Sequence, residues 1–92
     1  MKLVRLAKHG ALDARDFLIT IVESSPGGQT IGEMRKRLAV VKKLRAADGD
    51  TVKLEDDEHT TLLAVLDGRD DFAVTSEDIL SIYDAVQDAK PA

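Results

Sequence analysis

Residues 30–47, TIGEMRKRLAVVKKLRAA, decide how the chain folds. Thr30 is a good N-cap, and Glu33 follows three places on, the spacing of a capping box. Glu33 also lies at the positive end of the helix dipole, while Lys42, Lys43 and Arg45 lie at the negative end. At roughly 100° per residue, Ile31, Met34, Leu38, Val41 and Leu44 fall on one side. Arg35, Lys36, Lys42 and Lys43 fall on another, with Ala39 among them. The expectation is an amphipathic helix with its aliphatic side buried and its cationic side turned outward. Leu38→Asp should then unfold the chain and Lys36→Glu should not. Asp48-Gly49-Asp50 ends the helix, with Gly49 suited to a left-handed turn.

Upstream, Lys2–Leu6 alternates polar and apolar residues and reads as a short strand or an ordered N-terminal arm. Asp13 stands as an N-cap ahead of Ala14–Glu23, and Ser24-Ser25-Pro26-Gly27-Gly28 closes that segment. Ile19, Thr20, Ile21 and Val22 favour a strand by β-branching. Phe17, Leu18, Ile21 and Val22 equally make a helical stripe, and the helix is the better reading because it exposes less. Downstream, Thr51–Glu55 alternates and is the best strand candidate; one strand needs a partner, and Lys2–Leu6 is the one assigned. Asp56-Asp57-Glu58 opens a helix running through Leu66 and leaving at Gly68, with Leu62, Leu63, Val65 and Leu66 buried. After a polar turn at 68–71, Phe72, Ala73 and Val74 lead into a last helix capped by Thr75 or Ser76. Phe72 or Val74 is expected to staple onto its first turn. Ile79, Ile82, Tyr83 and Val86 recur at helical spacing, and 90–92 should fray as a tail. The expected fold is mostly α: a single domain of four helices over residues 1–92, with room for a two-stranded β ribbon. Residues 1–12 form an arm or strand and 13–89 the helical core.

The 92 residues suffice for one modest core, which must be aliphatic because only Phe17, Phe72 and Tyr83 are aromatic. With no cysteine, disulfides, thiol catalysis and thiolate metal sites are excluded. The stretch MKLVRLAKHG holds no apolar run of signal-peptide length, so the expected location is the cytoplasm. The net charge of −4 is unevenly spread: residues 30–47 carry +5 and residues 48–92 carry −10. A basic helix followed by an acidic half implies mutual attraction, within the fold or between copies.

No pattern carries catalysis. The run Glu55-Asp56-Asp57-Glu58 followed by His59 points its carboxylates in different directions along a helix start, and Asp48-Gly49-Asp50 lacks the glycine position of a calcium loop. Gly27-Gly28 precedes a helix, but the lysine and spacing of a phosphate loop are missing, which leaves a tight interhelical turn. Ser24, Ser25, Ser76 and Ser81 suit turns and caps, His9 lies near no evident partner, and His59 reads as a surface residue one turn into its helix. The chain is expected to be no enzyme and to need no cofactor or metal. The cationic face Arg35, Lys36, Lys42 and Lys43 is the candidate contact, for an acidic protein surface or a second copy in a homo-oligomer. The alternative maps Ala14–Glu23, the 30–47 helix and Thr51–Glu55 onto a winged helix-turn-helix that binds DNA. The run Glu55–Glu58 in the supposed wing, and the acidic half behind it, would repel phosphates, so nucleic acid is the less favoured partner. No membrane contact is expected.

The run Gly27–Leu38, GGQTIGEMRKRL, followed by Lys53-Leu54-Glu55-Asp56 and a closing amphipathic helix, resembles small accessory proteins of tailed bacteriophages and prophages. The resemblance spans about Ile19 to Ala89, with EMRKRL and the LED step its most specific parts. It implies a non-catalytic accessory factor of virion assembly or host takeover, placed in the host cytoplasm or the virion, and transfers no functional residues.

Overall fold

A computed structural model of the chain describes residues 1–10, 12–72 and 74–92. Ala73, expected to help lead into the last helix, lies outside them, as does the side chain of His9. The order is β1 (Lys2–Arg5), β2 (Lys8–His9), β3 (Leu12–Asp13), α1 (Ala14–Glu23), α2 (Ile31–Ala46), β4 (Thr51–Leu54), α3 (Asp56–Asp67), α4 (Glu77–Gln87) and β5 (Lys90–Pro91).

The expected ribbon is present: β1 and β4 pair antiparallel with Val4 opposite Val52 and Lys2 opposite Leu54. Alternation sets the faces, since Val4, Val52 and Leu54 are buried while Arg5 and Lys53 are exposed. The expected fraying of 90–92 is corrected. Lys90 and Pro91 pair with Leu3 and Lys2, so β1 becomes the central strand of a three-stranded sheet, β4-β1-β5. Pro91 is tolerated there because β5 is an edge. A two-stranded β2-β3 sheet that the sequence reading did not anticipate turns at Gly10, whose φ is +63°. A Cβ at Gly10 would lie 2.6 Å from Asp78 Oδ2, so this turn sits hard against the start of α4.

Residues 14–23 are helical, as the less exposing reading required. Asp13 Oδ1 accepts from the Asp16 N–H at 3.2 Å, and Leu18, Ile21 and Val22 are buried. Gly27 and Gly28 both take positive φ in the turn before α2, where Thr30 Oγ1 accepts from the Glu33 N–H at 3.1 Å. The α3 capping box is made by Glu55 and Glu58, and Ser76 caps α4. The core joins Val4, Val52 and Leu54 of the sheet to Leu18 and Val22 of α1, Val40, Val41 and Leu44 of α2, Leu62 of α3, and Ile82 and Val86 of α4.

Two further expectations are corrected here. His59 is not at the surface but buried, with Nε2 2.7 Å from the Val86 carbonyl, so Nε2 carries the proton and ties α3 to the end of α4. Phe72 does not staple α4. It stacks on Phe17 at a centroid distance of 6.3 Å, while Val74 stays exposed.

The segment 69–71 after α3 is bolted to α1 by Arg69, which donates to the Ile21 and Ser24 carbonyls at 3.2 and 2.9 Å and to both carboxylate oxygens of Asp71. These hydrogen bonds hold the Asp71 carboxyl below its ordinary value of 3.8. A lowered folded value means that the Asp71 contribution is complete above 3.8 and is lost as the pH falls from there through the folded value. Melting temperature against pH should therefore drop less steeply on the acid side for Asp71→Asn than for the parent chain.

Candidate interaction surface

The helix expected to bury Ile31, Met34 and Leu38 does not do so: they are 66%, 47% and 48% exposed. The buried sector of α2 is centred instead on Val40, Val41 and Leu44, with Arg37 half-buried beside them. A second neighbour and helix length together explain the shift: α3 also packs on α2 and turns its buried sector toward Val40. At about 1.5 Å per residue α2 is about 24 Å long and α1 about 15 Å, so α1 cannot cover the whole of its neighbour. Arg37 takes the place an aliphatic residue would hold, donating to the Val22 and Ser24 carbonyls at 3.2 and 3.1 Å. Like Arg69, it supplies positive charge to the end of α1, whose own last turn carries no basic residue.

Of the four cations expected on the outward face, Arg35, Lys36 and Lys42 are exposed, and none of the three is in an ion pair among the described residues. Lys43 is corrected: it is half-buried and lies 3.7 Å from Glu58 of α3, as an internal tie. This is the contact made inside the fold between the basic helix and the acidic half. Two further cations of α2 are spent on α1: Arg45 pairs with Glu23 at 2.7 Å, and Arg37 donates to the Val22 carbonyl.

The apolar and cationic sectors of α2, read from sequence as separate, merge between Ile31 and Lys42. On a helical wheel Met34, Leu38 and Ile31 run directly into Lys42 and Arg35, all of them exposed. Beside them a groove of about 260 Å³ runs between α1 and α2, lined by Val22, Glu23, Gln29, Met34, Arg37, Leu38 and Val41. The surface is an aliphatic strip with a positive border.

Comparison with protein families, curated proteins and solved structures finds no match.

The remaining candidates acquire structural partners. Ser76 caps α4, Ser25 Oγ donates to the Gly28 carbonyl at 2.9 Å, and Glu58 accepts from the Glu55 N–H at 2.8 Å. Among the described residues no three His, Cys, Asp or Glu side chains converge as metal ligands, and no helix is long and apolar enough to cross a membrane. The strand β4 leads straight into acidic α3, so no hairpin follows α2 where a winged helix would carry its wing.

Sequence reasoning missed Arg37 and Arg69 as structural residues. The absence of any cation in the last turn of 14–23 was the available signal, since a helix end short of positive charge invites one from elsewhere.

Proposed function

We propose that the chain is a non-enzymatic protein–protein interaction module that presents the first half of α2 to an acidic, partly apolar protein surface. The observation that supports this reading is the exposure of Ile31, Met34 and Leu38 in one sector with Arg35 and Lys42. An aliphatic strip held out of the core costs solubility and is characteristic of contact surfaces. A cationic border adds selectivity for acidic partners and speeds encounter. Duplex DNA is the weaker reading, because three aliphatic side chains gain nothing from phosphate oxygens. An accessory role in virion assembly or host takeover, which the phage resemblance implies, is compatible with such a module working in the cytoplasm.

A synthetic amphipathic helical peptide of Leu and Glu provides the test, read by fluorescence anisotropy. The chain should bind it, Met34→Asp/Leu38→Asp should abolish binding without lowering the melting temperature, and added salt should weaken it. A chain that ignores the peptide at low salt, or binds it equally well without Met34 and Leu38, would overturn the reading.

A further inference from the structure

The partner's chemistry, an acidic surface with some apolar area, is present on the chain itself. On α4 and its C-cap Asp88 the exposed sector holds Leu80, 60% exposed, flanked by Glu77, Asp84, Gln87 and Asp88, which are also exposed. Their spacing places all five within about a third of the helix circumference. Just before the helix, Val74 is 66% exposed. This is the α2 surface with its charges inverted: an apolar centre bordered by carboxylates.

Resting on the functional reading above, we propose that the α2 face of one copy docks on the α4 face of the next, head to tail. Symmetry argues for this pairing. A two-fold contact of α2 on α2 would bring Arg35 and Lys42 of one copy against the same cations of the other, and α4 on α4 would do the same with Asp84 and Asp88, whereas α2 on α4 opposes these cations and carboxylates. The two faces do not satisfy each other within one chain, since both are exposed and each helix packs against α3. Each docking event thus leaves one free α2 face and one free α4 face, so growth continues into a ring or an open chain. Two short helix faces bury less than a standard interface of about 1,600 Å², so association is weak, depends on concentration and is sensitive to salt.

Sedimentation equilibrium of the full chain across concentration and ionic strength tests this. The average mass should rise past that of a dimer at low salt and fall back as salt is added. Arg35→Glu/Lys42→Glu and Asp84→Lys/Asp88→Lys should each weaken self-association by about tenfold or more. All four positions are exposed, and melting curves check that both variants fold. Mixed in equal amounts, the two variants should associate again, because each new contact joins either two parent faces or Glu to Lys. A parent chain that stays monomeric throughout, an α4 reversal without effect, or growth that stops at a dimer would each overturn the head-to-tail arrangement. Should the Leu/Glu peptide still bind α2 in that event, the interaction module stands and only its occupant is wrong; should the peptide also fail, both fall.

Discussion

Leu44→Ala should destabilise the chain by about 3–5 kcal/mol, whereas Leu38→Asp, two turns away on the same helix, should change stability by less than about 0.5 kcal/mol. Leu44 is fully buried, in contact with a core drawn from α1, α3 and both long strands. Removing its isobutyl group forfeits the transfer free energy and leaves a cavity that neighbours on several elements cannot close together. Leu38 is 48% exposed at the rim of the groove between α1 and α2, so a carboxylate there keeps much of its hydration. A chain of this size holds about 5–15 kcal/mol in all, so Leu44→Ala should take a large fraction of it. Urea titrations give both numbers from the shift in midpoint. Equal losses at the two positions would mean that the first half of α2 is covered in solution, and self-association would then be the first explanation to test by dilution.

The same pair of leucines shows how far the sequence could be read. Most element identities were legible because local signals agreed: Thr30 with Glu33, the Asp13 cap with the Pro26-Gly27-Gly28 exit, and the alternation in KLVRL and TVKLE. The pairing of β1 with β4 followed from the need of a lone strand for a partner. Which part of α2 is buried was not legible, because Ile31, Met34, Leu38, Val40, Val41 and Leu44 together cover far more of the helix than one neighbour can bury. Period alone gives their angles but not which of them fall under α1, and that depends on the lengths of other elements. The inclusion of Val40 and the loss of Ile31, Met34 and Leu38 both follow from where α1 and α3 lie against α2, which no local signal carries. The third strand was hidden for a related reason, since Lys90-Pro91 has no strand pattern of its own and is ordered by lying beside β1. Arg35, Lys36 and Lys42 are exposed as expected, while the apolar strip beside them was read as core.

Removing both arginines from the end of α1 should cost more than the two single losses combined. Arg37 and Arg69 each donate to the Ser24 carbonyl, at 3.1 and 2.9 Å, and each also takes a second carbonyl nearby, Val22 for one and Ile21 for the other. Bonds from a charged donor are worth about 1.5–3 kcal/mol each against water competition. With methionine keeping most of the apolar stem, Arg69→Met should cost about 3 kcal/mol, because that side chain is only 13% exposed and also orders Asp71. Arg37→Met, in the more open groove, should cost about 1–2 kcal/mol. In either single variant the Ser24 oxygen keeps one donor; in the double variant it has none, and the unpaired acceptor adds about 1 kcal/mol. Repulsion between the two guanidinium groups works the other way, since each single loss would relieve it. Asp71, bonded to Arg69 through both carboxylate oxygens, cancels most of that repulsion. A double-mutant cycle in urea decides between the two effects by the sign of the coupling. Shared satisfaction of Ser24 requires the double loss to exceed the sum, and a double loss smaller than the sum would mean that these two cations oppose one another at the end of α1.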